Sequence, residues 1–158
     1  HDIALINNKL WVSTEYMLFC YDIDSETLLP FRYVGNVDAI IDRIEPMTKI
    51  FALHADETKL YVGTNQGIIA YNIVNSSWEL IAEPTIYNND FVSELNVYKK
   101  QLFIITERGL IRLHMKKQFH RQYNYPFIGN VNDLYVTRDR LWLATDNGLI
   151  QFSWKKDL

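Results

Sequence analysis

The sequence predicts an all-β chain in which one antiparallel sheet of four strands is repeated. Three observations predict it. Aromatic residues reach 14%, Tyr alone counting 10, and aromatic and β-branched side chains suit half-buried pleated surfaces. Four segments align without gaps: KLWVSTEYMLFCYD (Lys9–Asp22), KLYVGTNQGIIAYN (Lys59–Asn72), QLFIITERGLIRLH (Gln101–His114) and RLWLATDNGLIQFS (Arg140–Ser153). Their threonines, Thr14, Thr64, Thr106 and Thr145, stand 50, 42 and 39 residues apart, which brackets the roughly 40–45 residues of one blade of a β-propeller. The predicted class is a β-propeller fragment of about four blades, each of four antiparallel strands, the last blade incomplete.

Each unit reads as strands A to D. Strand A is the alternating stretch Ile3–Ile6, Ile50–Ala55, Val92–Val97 or Val131–Val136, joined onward through short polar links such as Asp56-Glu57-Thr58. Strand B opens on a long polar side chain, then Leu and an aromatic: Leu10–Trp11, Leu60–Tyr61, Leu102–Phe103, Leu141–Trp142. Leu-aromatic-aliphatic-small-Thr is the run of a strand buried on both faces, which places Trp11, Tyr61, Phe103 and Trp142 in the core between blades. The two residues after each Thr make a tight reversal. Gly67, Gly109 and Gly148 follow and supply its positive φ, while the Thr hydroxyl is placed to bond the turn backbone. Met17 stands where the first copy would have Gly, and predicts a first turn of different geometry. Strand C comes next, as at Leu149–Phe152, and then a weaker strand D at Leu28–Val34, Trp78–Ile81 and Phe119–Tyr123.

The expected blades span residues 1–34, 48–83, 91–124 and 130–158 of one propeller segment, and an insertion around Gly35–Met47 accounts for the long first spacing. The fourth D strand would begin beyond Leu158. An arc of a larger ring is therefore expected rather than a closed ring of four blades. Such an arc leaves two blade faces for the rest of the parent propeller to cover, and on its own it is expected to self-associate through them.

The strings LWLATDNGLIQF (Leu141–Phe152) and LYVGTNQGIIAYN (Leu60–Asn72) resemble the two-component regulator propeller repeat, whose pattern is Leu-Trp-Ile-Gly-Thr-x-x-Gly-Leu-x-x-Tyr. The resemblance runs through all four units. It is weaker at Leu102–Leu113, where Ile105 replaces the small residue, and weakest at Leu10–Tyr21, where Met17 replaces Gly. It implies a periplasmic segment from the sensor region of a Bacteroidetes-type hybrid two-component histidine kinase and response regulator, responding to oligosaccharides. The kinase, receiver and DNA-binding parts would lie further along the parent chain.

Composition narrows the alternatives. An apolar share of 48% excludes a disordered tail. The net charge is -3, and no Lys/Arg run exceeds a pair such as Lys99–Lys100 or Lys116–Lys117, so no nucleic-acid surface is expected. No stretch of 18 apolar residues provides a membrane contact. The chain opens on His1 rather than Met, as a cut or processed end would, and any targeting signal is expected outside it. With Cys20 alone, an intrachain disulfide is impossible. His1, His54, His114 and His120 show no metal-ligand spacing. Asp22, Asp24 and Glu26 alternate like calcium ligands, but Thr27 and Tyr33 fill the positions where a calcium loop needs Gly and Glu. No Gly-x-Ser-x-Gly elbow and no Gly-rich phosphate loop occur. No catalytic residue, metal or cofactor is therefore expected.

Function is expected in the loops that a rigid sheet scaffold presents. One propeller face would carry the B–C turns, with Glu15, Tyr16, Asn65, Gln66, Glu107, Arg108, Asp146 and Asn147, and the D–A connections, with Tyr87, Asn88, Asn89, Asp90, Tyr125, Asn130 and Asn132. Amides, carboxylates and Arg suit sugar hydroxyls, and Tyr suits stacking on a sugar ring. The candidate ligand-binding set is Asn65, Gln66, Tyr87, Asn89, Glu107, Arg108, Tyr125, Asn130, Asp146 and Asn147. The same residue types also serve turns for backbone reasons alone. The expected function is recognition without chemistry: a ligand-sensing segment. An envelope protein–protein interaction propeller is the alternative, and a propeller enzyme, a lyase or dehydrogenase, ranks behind both, because Arg108 stands almost alone among the convergent groups such an enzyme needs.

Overall fold

A computed structural model describes residues 2–44 and 49–157. His1, the end of the insertion at 45–47, the expected first residue of the second blade at 48, and Leu158 lie outside the described residues. The chain divides into two compact units, one running to Phe91 and one starting at Val92.

The first unit holds two antiparallel meanders of four strands. One is β1 (Ile3–Ile6), β2 (Lys9–Ser13), β3 (Leu18–Asp22) and β4 (Thr27–Pro30); the other is β5 (Ile50–Ala55), β6 (Lys59–Thr64), β7 (Gly67–Asn72) and β8 (Ser77–Ala82). The second unit holds β9 (Val92–Tyr98), β10 (Gln101–Thr106), β11 (Gly109–His114) and β12 (Phe119–Tyr123), followed by a sheet of three described strands, β13 (Val131–Val136), β14 (Leu141–Thr145) and β15 (Gly148–Phe152).

The fourth strand of the first sheet is shorter than its apolar run predicts. It ends at Pro30, and Phe31–Tyr33 forms a 3-10 turn in which the Val34 N–H donates to the Phe31 carbonyl at 2.9 Å. Pro has no N–H to continue the ladder and fixes φ, here at -58°. The insertion then closes over the edge of the next sheet. Asn36 donates to the Ser76 carbonyl and accepts from the Trp78 N–H, each at 2.8 Å, forming one parallel bridge beside β8. Gly35 makes this approach possible: its φ is +74°, and a Cβ there would lie 2.4 Å from the Ser76 oxygen. A 3-10 turn (Asp38–Ile40) and a helical turn (Ile41–Ile44) follow, and they bury Ile40 and Ile44.

Both units fill their cores with the aromatic of strand B and side chains from the neighbouring sheet. Trp11 packs edge-on to Trp78 at 5.7 Å and against Tyr71 at 5.3 Å, and the Trp78 indole N–H donates to the Val34 carbonyl. In the second unit Phe103 meets Trp154 at 5.6 Å, amid Leu134, Leu141 and Leu143. Trp11, Tyr61 and Phe103 are buried as expected, whereas Trp142 is half-buried. The reason lies in its strand. β6 and β10 are buried on both faces, but β2 and β14 alternate, with one face packed and one open. The open faces carry Ile3 (67% exposed) and Leu5 in the first sheet, and Tyr135 and Leu149 (69% exposed) in the last.

Candidate ligand-recognition loops

The loop scaffold is built at the Thr–Gly corners. In β6–β7 the Thr64 hydroxyl donates to the Gly67 carbonyl at 2.7 Å and accepts from the Gln66 N–H at 3.0 Å. Thr106 and Thr145 repeat the pattern toward Gly109 and Gly148, accepting from the N–H groups of Arg108 and Asn147. The three glycines have φ of +130°, +119° and +113°, a region where a Cβ is strained. At the first corner Thr14 instead accepts from the Met17 N–H, and the paired strands already end at Ser13 and Leu18, so the loop is wider and Met17 needs no positive φ. Main-chain and hydroxyl bonds thus fix the three Thr–Gly corners, and tip side chains such as Asn65, Asp146 and Asn147 make further bonds to neighbouring segments.

Strand A supplies a second feature. Where it passes the corner threonine it carries a bulge in three sheets, leaving Phe51, Ser93 and Asn132 as the extra residues. Bulges re-aim side chains and recur beside functional sites. The Ser93 hydroxyl reaches back to the Ile105 carbonyl at 3.4 Å, and the Asn132 amide donates to Asp146 at 2.9 Å.

The expected ligand residues separate into structural and available groups. In the first unit Asn65 ties the turn to the start of β5, its side-chain oxygen accepting the Lys49 N–H at 2.7 Å and its own N–H donating to the Lys49 carbonyl. The Gln66 carbonyl accepts from Arg43 at 2.8 Å. Tyr87 is a correction: it is fully buried, and its hydroxyl donates to the Thr64 carbonyl at 2.8 Å. Burial pushes its phenol well above the ordinary range. It sits on the 3-10 turn Pro84–Tyr87 and holds the corner from beneath, out of reach of any ligand. Asn88 and Asn89 follow with φ of +56° and +57°, the left-handed backbone that Asn tolerates; the Asn89 N–H donates to Pro84. Glu15 and Tyr16 remain exposed at the β2–β3 turn. Lys49 lies 3.1 Å from the Glu15 carboxylate and 5.7 Å from the Tyr16 ring centroid. Hydrogen bonding to Tyr16, and then to Lys49, holds the Glu15 carboxyl below its ordinary value.

In the second unit the structure brings three expected residues together. Asn130 donates to one Asp146 carboxylate oxygen at 2.8 Å and Asn132 to the other. These bonds, with Asn132 the larger influence, lower the Asp146 carboxyl from its usual value. The Asn147 amide donates to the Phe127 carbonyl at 3.2 Å. Tyr125 is exposed and stacks on Phe127, their rings 5.4 Å apart and 18° from parallel. They border a cavity of about 270 Å³ lined also by Tyr123, Ile128, Ile150, Gln151 and Phe152. Glu107 and Arg108 stand exposed at the tip of the β10–β11 turn. Sequence reasoning missed Lys49, Phe51, Phe91 and Phe127. The bulge that aims Phe51 leaves no residue signature, and Phe91 and Phe127 read only as isolated loop apolars.

Among the described residues, no group of three or more His, Cys, Asp or Glu side chains could hold a metal ion, and no helix is long and apolar enough to cross a membrane.

No protein-family model matches the sequence, and no curated protein sequence matches it significantly. Solved structures do. An extracellular domain of BT4673 from B. thetaiotaomicron, described as a one component system, superimposes with a TM-score of 0.70 at 23% identity over 98% of this chain and 21% of that one. A second structure, describing BT4673 as a hybrid two component system, gives 0.68 at 24% identity over 95% and 20%. The WD40 domain of Neurospora crassa Pan2 gives 0.64 at 12% identity over 98% and 48%. The fold is that of a β-propeller segment. The chain spans about a fifth of the length of the two B. thetaiotaomicron domains. A hybrid two component system is also the kind of protein that the repeat wording resembles.

Proposed function

We propose that this chain is a non-enzymatic, ligand-recognising segment from the extracytoplasmic sensor region of a hybrid two-component regulator, and that its ligand is an oligosaccharide. The observation that carries the reading is the likeness, over 98% of the chain, to an extracellular domain of a bacterial signalling system. Two features of the loops support it. Rigid Thr–Gly corners present amide, carboxylate and aromatic side chains on loops with no regular structure of their own, as recognition surfaces do. The Asp146 carboxylate accepts from two amides and sits where its charge is favoured, a poor arrangement for a general acid or base, which works with a value near the operating pH. Ligand binding would act by favouring one arrangement of the sensor region over another, which distant signalling domains then read. Placement in the periplasm follows from the same reading.

The test is a glycan array probed with the chain, with each hit then incubated and analysed by mass spectrometry. Binding with the glycan recovered intact supports the proposal; cleaved or oxidised glycan overturns it.

A protein-interaction role is the second reading, and the open apolar faces favour it. Ile3 and Leu5 on the first sheet, and Tyr135 and Leu149 on the last, are exposed on strands whose opposite faces are packed. Such faces take either a neighbouring blade of the parent protein or a separate protein partner. Capture of a protein partner without glycan binding would establish this reading in place of the first.

A further inference from the structure

We propose that a cleft in the first unit, between the β2–β3 turn and the start of β5, binds one neutral sugar ring, with Phe91 and Phe51 against the ring's C–H face and the Glu15–Lys49 pair on its hydroxyls. The inference rests on the oligosaccharide reading above and gives it a place and a charge preference.

The cleft has a volume of about 280 Å³ and is lined by Glu15, Lys49, Ile50, Phe51 and Phe91. That is just below the roughly 300–1,000 Å³ of sites for drug-sized ligands, so it holds one ring and not a chain of them. One wall is aromatic. Phe51 is the bulged residue between Ile50 and Ala52. Its counterparts Ser93 and Asn132 turn back to bond their own sheets, whereas Phe51 packs on Phe91, ring centroids 4.5 Å apart and 55° from parallel. Phe91 remains 47% exposed directly after the polar run Asn88–Asp90. A half-exposed aromatic pair on such a loop offers apolar area that a ligand would cover with a favourable loss of hydrated surface.

The other wall is polar and fixed in place. Glu15 and Lys49 are both about half exposed and 3.1 Å apart. The Ile50 N–H donates to the Glu15 carbonyl at 2.9 Å, tying the turn to the strand that carries Phe51. The carboxylate accepts from one hydroxyl and the ammonium beside it donates to the neighbouring one, which suits adjacent hydroxyls on a sugar ring. The pair also decides charge. Glu15 and Lys49 cancel each other, so a uronate would have to displace Glu15 from Lys49 while facing its repulsion, and an amino sugar would meet the reverse problem.

The experiment is calorimetric titration of the full chain with cellohexaose, xylohexaose and mannohexaose as neutral probes and hexagalacturonate as the acidic one. The proposal predicts that a neutral hexaose binds more tightly than hexagalacturonate. Phe91→Ala should weaken it by about tenfold or more, Glu15→Gln should weaken it as well, and Phe91→Trp should keep it. Phe119→Ala, at an exposed position on β12, should leave affinity unchanged. Neutral binding that both Phe91→Ala and Glu15→Gln leave intact would overturn this cleft but keep the sensing reading, as would tighter binding of hexagalacturonate. If none of the four probes binds, the cleft and the oligosaccharide reading fall together.

Discussion

Gly109 and Gly148 occupy the same corner in two sheets but answer to different constraints. Both have positive φ. A Cβ on Gly109 would lie 2.5 Å from the Tyr123 carbonyl oxygen, while one on Gly148 meets nothing within 4 Å. Gly148→Ala therefore costs only the backbone term, about 1–3 kcal/mol, and Gly109→Ala should cost measurably more in a urea melt. Equal losses would contradict the contact. Asp22 gives a charge test at the same scale. Its carboxylate accepts from Lys9 and from the Ser25 N–H, and these bonds pull it down to about 2. Because the folded value is depressed, the pair's contribution to stability is complete above the ordinary carboxylate range and is lost as pH falls toward about 2. An NMR titration should find the Asp22 midpoint near 2, and Lys9→Met should move it up toward the ordinary value. The Thr-x-x-Gly corners were legible because their chemistry is local: a hydroxyl, two turn residues and a φ that only Gly takes cheaply. Tyr87 was misread because its sequence context, Ile-Tyr-Asn-Asn, is that of a loop, and only the fold folds it under Thr64.

At the scale of elements, the strands were legible almost throughout, since most are short apolar or alternating runs bounded by turn residues. Pro30 marks where that reading overran, because a missing N–H ends β4 before its apolar stretch does. The insertion was recognised only as extra length. The structure gives it work: Asn36 bridges the edge of β8 and accepts the Trp78 backbone N–H, while the Trp78 indole donates to Val34 just before it, and covering an exposed edge blunts unwanted strand pairing. Trp78→Ala should cost about 3–5 kcal/mol in a denaturant melt and raise proteolysis within residues 35–44 together with that loss. The closing 3-10 turn Trp154–Asp157 in the second unit was not foreseen at all. Arg112, buried on β11, donates to the Trp154 carbonyl and lies 5.8 Å from its ring. A long cationic side chain stands where the aligned position of β7 holds Ala70, and no repeat pattern announces such an exchange. Arg112→Ala should destabilise the second unit by roughly 1–3 kcal/mol, the scale for leaving a buried acceptor such as the Trp154 carbonyl unsatisfied.

At the scale of the whole molecule, the repeat count and the fold class were legible from spacing, because a propeller blade is one supersecondary unit copied along the chain. The proposed cleft was legible only in part: Glu15 stood among the expected turn residues, whereas Phe51 and Phe91 come from a bulge and a connection that vary from copy to copy. The open faces on the first and last sheets carry Ile3, Leu5, Tyr135 and Leu149. Sedimentation equilibrium of the isolated chain should show association that Leu5→Glu or Leu149→Glu reduces. On the proposed function, recognition belongs to the loops and not to these faces. Hydrogen exchange measured with and without a glycan bound by the chain tests it most directly. New protection at residues 14–17, 49–51 and 88–91, with β1 and β15 unchanged, is the predicted result; protection along β1 and β15 with those loops unaffected would contradict it.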